Sequence, residues 1–259
     1  MVPWERSSLP PLSGWEASLW GEAGMAELLY YQDAYLREFD AVVTAASPEG
    51  VELDRTAFYP GGGGQPADAG ALSADGVSWP VASVRKLEGR IWHHVVGEPP
   101  RIGQAVKASL DWERRYALMR THTAMHILCG VIWRDYGASV TGGNMEPLQG
   151  RMDFEFARMR QELVREIAER VNAEVAAGRP VRTRSLPRAE AFQIPDLIRT
   201  RINLLPEGIQ EVRVVEIVGL DLQADGGTHV ADTRQVGSIR IVDYKSKGAI
   251  NKRLVVALE

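Results

Sequence analysis

The chain has 259 residues, 45% of them hydrophobic and 25% charged, with a formal net charge of −4; this is the balance of a globular protein with room for one large domain or two ordinary ones. No apolar run approaches the roughly 20 residues needed to span a membrane, and the single cysteine excludes an internal disulfide and fits a reducing cytoplasm. The negative charge argues against nonspecific duplex binding as the main activity and leaves RNA recognition to a local basic patch.

Residues 1–24 mix Pro, Ser, Gly and Trp without a period and lack the long apolar core of a signal peptide. They are expected to be a flexible extension, with Met25 a candidate natural start. From Leu28 to Leu110 the pattern is strand-like. Short alternating or apolar runs at Asp40–Thr44, Val81–Val84 and Ile91–Val96 are separated by Gly, Pro, Asp and Ser turns, which suits a small β-barrel-like domain over residues 25–110. Inside it, four consecutive glycines from Gly61 to Gly64 carry no side chains to pack. They are expected to bring backbone close to a ligand or a neighbouring domain.

At Asp111 the pattern becomes helical. Tyr116, Leu118, Met119, Met125, Ile127, Leu128, Val131 and Ile132 occupy two faces, as in a largely buried helix, with Asp111 as N-cap and an end near Gly137. Cys129 reads as a buried core thiol. A Gly-rich loop, Thr141-Gly142-Gly143-Asn144, leads to a strand at Met152–Phe156. A second helix covers Arg158 to Ala177, with Leu163, Ile167, Val171 and Val175 at four-residue spacing; Gly178 and Pro180 stop it. A strand at Arg182–Ser185 and a short helix at Arg188–Phe192 follow. A strand at Val212–Val218 leads into a glycine-histidine loop. Ser238–Tyr244 and Leu254–Leu258 form a hairpin around Lys247-Gly248. Residues 111–259 are therefore expected to form a mixed α+β domain.

Three of the five histidines fall in two motifs. His122 and His126 lie four residues apart in Arg120-Thr121-His122-Thr123-Ala124-Met125-His126, which puts both imidazoles on one helix face. His229 follows in Asp225-Gly226-Gly227-Thr228-His229-Val230, where the glycines allow a turn with positive φ and a close backbone approach. Brought together, the three nitrogens suit a zinc-type ion. Thr123 follows His122, so this is not the HExxH pattern of zinc proteases, and no glutamate base is built into the helix.

These residues carry a resemblance. HTAMH followed far downstream by DGGTHVADT is similar to the editing domain shared by alanyl-tRNA synthetase and the free-standing AlaX proteins, and more distantly to that of threonyl-tRNA synthetase. Phe58-Tyr59-Pro60-Gly61-Gly62-Gly63-Gly64-Gln65-Pro66-Ala67-Asp68-Ala69-Gly70 resembles the family's glycine-rich block. Asp111-Trp112-Glu113-Arg114-Arg115, Arg151-Met152-Asp153-Phe154 and Ser246-Lys247-Gly248 match in order and spacing over residues 25–259. The GGGQP block resembles that of the longer AlaX type. No aminoacylation segment is visible beside the editing region. The implied fold is α+β: a small barrel followed by an editing domain of the threonyl/alanyl-tRNA synthetase second-additional-domain type.

The resemblance implies hydrolysis of Ser-tRNA-Ala, and of Gly-tRNA-Ala in some members, in the cytoplasm. One Zn2+ per chain, or another divalent metal, would be held by His122, His126, His229 and Asp225. The family often has Cys at the position of Asp225. A carboxylate makes the site harder and more tolerant of other divalent metals; Asp225 as a ligand, and Asp225 as an orienter of water or a loop cap, both stay open. The expected partner is mischarged tRNA-Ala, with neither DNA nor a membrane involved. Backbone N–H groups at Gly226 and Gly227 are candidate oxyanion donors. Thr123 and Thr141 are candidates to read the serine hydroxyl, and Gln65 resembles a family position near the site. Candidate RNA contacts are Arg182, Arg184 and Arg188, then Arg199 and Arg201, and the cluster Lys245, Lys247, Lys252 and Arg253. Two other readings predict different behaviour. A metallohydrolase of a small aminoacyl or amide substrate would work without tRNA and survive high salt. A metal- or RNA-binding module would show no turnover, and the Asp225 departure is the one feature favouring it.

Overall fold

Alternation of buried and exposed residues closes the first half of the chain into a barrel. The computed structural model describes residues 26–156, 158–195, 197, 209–246, 248 and 250–259. The expected extension over residues 1–24, and Arg199, Arg201 and Lys247, lie outside the described residues. In chain order β1 (Glu27–Leu28) and α1 (Leu29–Gln32) precede β2 (Glu38–Ser47), β3 (Gly50–Leu53), β4 (Arg55–Thr56), β5 (Gly70–Ala74), β6 (Val77–Leu87), β7 (Arg90–Val95) and β8 (Ala105–Leu110). The barrel order is β2-β3-β7-β6-β5-β8. Every second residue at the start of β2 is buried, which sends Phe39, Ala41 and Val43 inward. They pack with Leu53, Phe58, Leu72, Val84, Ile91 and Val106. β3, β5 and β8 are not legible as strands in the sequence, because Gly50, Gly70, Ser73 and Lys107 interrupt their apolar pattern.

The second half contains α2 (Trp112–Tyr136), β9 (Val140–Glu146), β10 (Gln149–Glu155), α3 (Gln161–Ala177), β11 (Val181–Pro187), α4 (Arg188–Ala191), β12 (Glu211–Ile217), β13 (Asp221–Ala224), β14 (Ile239–Ser246) and β15 (Asn251–Leu258). α2 starts where the Asp111 carboxylate accepts from Arg114 N–H and stops where Gly137 takes the left-handed conformation at φ 64°. Its apolar residues occupy more than one face because the middle of the helix is buried all round: Leu118, Met119, Ile127, Leu128, Val131 and Ile132 are fully enclosed, and Cys129 is a core thiol. The sheet β14-β15-β10-β9 and α3 enclose this helix's core. A smaller sheet, β11-β12-β13, carries Ile217 into the same core.

Three sequence expectations are corrected here. Thr141–Asn144 is a strand, not a loop: Gly143 pairs with Met152 and Gly142 with Asp153. Close packing on α2 is required of Gly150 in the partner strand, where a methyl group would lie 2.6 Å from Met125 Sδ; at Gly142 a methyl group would meet nothing within 4 Å. α3 begins at Gln161 rather than Arg158. β12 does not run straight into the glycine-histidine loop but turns back through β13, with Leu222 opposite Glu216.

Candidate metal centre

Mid-helix placement on α2 gives His122 and His126 a rigid backbone, and the loop after β13 brings His229 and Asp225 to the same point. One ligand atom from each of the four residues lies within 4.8 Å of the other three. The histidines are 4%, 7% and 4% exposed for His122, His126 and His229. Their rings meet at 4.3 Å between His122 and His229 and at 5.2 Å between His122 and His126.

Each imidazole has one nitrogen already committed. His122 Nδ1 lies 2.9 Å from Gln65 Oε1. That oxygen also accepts from Thr228 N–H at 3.0 Å, while Gln65 Nε2 donates to Thr228 Oγ1 at 2.9 Å. The amide orientation is thereby fixed, and His122 Nδ1 must be the donor. His126 Nδ1 lies 2.9 Å from Asp221 Oδ2, which also accepts from Gln223 Nε2 at 2.8 Å. His229 Nδ1 lies 3.2 Å from Thr123 Oγ1. The Thr123 hydroxyl donates to Met119 O at 3.0 Å and accepts from Val230 N–H at 3.2 Å. With that proton on Met119 O, His229 Nδ1 donates too. With each Nδ1 donating, Nε2 is the nitrogen left on each ring as a potential ligand. His229 Nε2 stands 2.8 Å from Asp225 Oδ2 and His122 Nε2 3.6 Å from Asp225 Oδ1. At 2.8 Å the His229 Nε2–Asp225 Oδ2 pair is within hydrogen-bonding distance, and the set of three imidazoles and one carboxylate is one that could hold a divalent ion.

Electrostatics agree. Burial pushes His122 down to about 4, and burial together with His122 holds His229 well below the usual imidazole range. Both rings are neutral at physiological pH. Burial opposes ionisation of Asp225, but the neighbouring His122 and His229 outweigh it and keep the carboxylate ionised. One carboxylate then carries the same negative charge that a thiolate would bring.

The remaining sequence candidates have definite places. Neither Gly226 nor Gly227 has positive φ, so the expected left-handed turn is not there. The close approach is: a methyl group on Gly227 would lie 2.3 Å from His122 Cε1 and 2.7 Å from Gln65 Oε1. Gly227 N–H donates to Asp225 Oδ2 at 2.9 Å. The four-glycine run does take positive φ throughout, from 57° at Gly63 to 136° at Gly62. It delivers Gln65 to His122 and adds Gly64 O to β9 through Met145 N–H at 3.2 Å. Thr141 is half-buried on β9, donating to Asn251 Oδ1 at 2.8 Å.

Several site residues carry no signal in the sequence. Asp221 orients His126 from a short polar strand with no motif of its own. Arg213 is half-buried against the ring of Tyr31 and ties down the loop through Asp225 O at 3.0 Å and Gly227 O at 2.9 Å. Tyr31, Thr183, Arg213 and His229 help line a cavity of about 170 Å³ beside the cluster. Under the glycine loop, Arg115 grips both Asp68 oxygens and donates to Ala57 O and to Ala34 O. Asp68 in turn accepts from Tyr59 N–H at 2.6 Å, so one buried ion pair clamps both ends of the loop.

A barrel joined to a helix-on-sheet unit that holds three histidines and a carboxylate defines the class of the synthetase editing domains. Residues 212–255 match the family model for the threonyl and alanyl tRNA synthetase second additional domain, and residues 26–114 match that for class II (A) tRNA synthetases. The chain is 37% identical to the alanyl-tRNA editing protein AlaX-M of Methanosarcina barkeri, across 90% of this chain and 99% of that protein. It is 36% identical to the AlaX-M protein of Saccharolobus solfataricus, across 89% and 98%. The alanine–tRNA ligase of Ignicoccus hospitalis is 36% identical over 93% of this chain, which corresponds to 26% of the ligase. The chain belongs to the AlaX-M family of alanyl-tRNA editing proteins.

Proposed function

We infer that this chain removes the wrong amino acid from mischarged tRNA-Ala, Ser-tRNA-Ala first and Gly-tRNA-Ala second, in the cytoplasm. His122, His126, His229 and Asp225 would hold one divalent ion, zinc in the first place. The observation that carries this reading is the convergence of three Nε2 lone pairs and a carboxylate whose other hydrogen-bonding positions are already taken. A bound divalent ion supplies a Lewis acid and lowers the pKa of water in contact with it.

The chain's own residues do the rest. Gln65, Asp221 and Thr123 fix the tautomer and aim of His122, His126 and His229 respectively. They are positioning residues. Thr123 has its donor and both acceptor positions used, so it has nothing left for a substrate hydroxyl. Thr141 donates once, to Asn251, and keeps acceptor capacity; it is the threonine that reads serine, and an alanine methyl offers it nothing. Gly227 N–H is committed to Asp225, which leaves Gly226 N–H, beside the Tyr31 hydroxyl, as the oxyanion donor of the pair.

The test is release of labelled serine from Ser-tRNA-Ala, with and without a chelator, beside metal analysis of wild type and His126→Ala. The variant should lose the metal and the turnover while keeping its fold. Full turnover by a metal-free preparation refutes the reading.

A further inference from the structure

We propose that the cavity between the start of α3 and the β14–β15 hairpin docks the single-stranded 3′ end of the RNA substrate by its phosphates. The inference rests on the reading of the substrate as an aminoacyl-tRNA. The cavity measures about 510 Å³ and is lined by Arg158, Met159, Arg160, Tyr244, Ser246, Gly248 and Lys252. Three of its walls are cationic and none is acidic. Arg158 and Arg160 are exposed, and among the described residues neither has an ion-pair or side-chain hydrogen-bond partner. Lys252 is buried, with Nζ donating to Gly248 O at 2.7 Å, so its charge is fixed at the cavity wall.

The neighbouring cations are spent elsewhere. Arg253 lies 2.7 Å from each Asp153 oxygen, and Lys245 Nζ lies 2.8 Å from Asp243. Of the basic cluster read from the sequence, Lys252 is the member that reaches the cavity, and it is joined by two arginines that the sequence pattern does not single out. Tyr244 adds an aromatic ring, 39% exposed, on the same sheet face as Ser246 and Lys252. Exposed arginines beside an exposed ring are what a single strand requires, because phosphates need charge and unpaired bases need a stacking surface. With a net charge of −4 the chain as a whole repels RNA, so attraction has to come from such a patch.

Position fits as well. Tyr136, at the end of α2, meets Phe156 at 5.9 Å between ring centroids, and Phe156 lies two residues before Arg158. His126 is ten residues back along α2, or about 15 Å of helix. The cavity and the histidines thus belong to the same α2-centred half of the chain.

The experiment measures binding of an uncharged tRNA-Ala acceptor hairpin, with its 3′ overhang and with the overhang removed, across a salt series. Arg158→Ala/Arg160→Ala should weaken binding of the overhang hairpin about tenfold and reduce the salt slope by about 0.7 for each phosphate left without its cation. Binding of the blunt hairpin should stay unchanged. Arg158→Lys/Arg160→Lys should keep the slope, and a charge-matched exposed pair on β6 of the barrel, Arg85→Ala/Lys86→Ala, should behave as wild type. The proposal is overturned if the alanine pair binds the overhang hairpin like wild type, if it loses both hairpins equally, or if the β6 pair loses as much. No catalysis enters this test. A chain that deacylates Ser-tRNA-Ala yet fails here refutes the docking alone, and one that passes here without turnover refutes the catalytic reading alone.

Discussion

Replacing Gln65 by leucine tests whether the barrel half of the chain controls the metal cluster. The side chain is 2% exposed and makes three hydrogen bonds: it accepts from His122 Nδ1 and Thr228 N–H and donates to Thr228 Oγ1. Leucine fills similar volume but satisfies none of them. The Thr228 hydroxyl can rotate away, so two buried donors remain orphaned, each costing about 1–3 kcal/mol. A stability loss of about 2–6 kcal/mol follows, and about 2–4 °C of melting temperature per kcal/mol is expected for a chain of this size. The ring of His122 also loses its orientation, and loss of such a partner weakens metal binding about 10- to 100-fold. Gln65→Glu is the informative companion. It keeps the acceptor toward His122 and Thr228 N–H, and the threonine hydroxyl can turn to donate, so most of the metal affinity should return. The assay is zinc titration against a chromophoric chelator, with thermal unfolding of the apo and loaded forms. If Gln65→Leu binds zinc as tightly as wild type, His122 does not depend on the glycine loop, and the positioning argument fails.

Gly227→Ala should be at least as damaging to metal affinity, because the new methyl would lie 2.3 Å from His122 Cε1 and 2.4 Å from Nδ1; an unchanged zinc titration would mean the loop simply shifts. Arg115→Met should cost about 3–5 kcal/mol in urea unfolding, since it strands the Asp68 carboxylate, 1% exposed, without its partner; restoring the loss with Asp68→Leu would identify the stranded charge as the cause. His93 is sealed in the barrel, with Nδ1–H on Val51 O at 3.1 Å and Nε2 2.8 Å from Thr56 Oγ1, and burial pushes it down to about 4. The unfolded chain takes up that proton near pH 6.5 and the folded one only near 4, so stability falls as pH drops through this window, by about 3 kcal/mol in all. His93→Asn should flatten that part of the stability–pH curve, and an unaltered slope would show that the barrel does not exclude the charge.

Much of this protein is written in local pattern. The buried helix with its Asp111 cap and Gly137 stop follows from residue spacing and end chemistry, and so does the pairing of His122 with His126 on one face. The strands around Asp40–Thr44, Val81–Val84 and Ile91–Val96 follow from short apolar or alternating runs, and Asp225 and His229 are flagged by the glycines between them. Local pattern fails where the determining partner is remote in sequence. Thr141–Asn144 looks like a loop because its glycines have no propensity for sheet, yet it is held as a strand by pairing with β10, Gly143 opposite Met152 and Gly142 opposite Asp153. Asp221 has no motif, because its role depends on a histidine 95 residues away. Gln65 resembles a family position near the site and Thr123 is a candidate for the serine hydroxyl when read in sequence; in the fold their side chains meet His122 and His229, 57 and 106 residues away. The sequence by itself determined which side chains can bind a cation and which helix carries two of them. Only the tertiary structure decided which nitrogen of each ring is free. That choice is made by acceptors on other elements, and a neutral imidazole presents one lone pair whose direction is set by the partner of the opposite nitrogen.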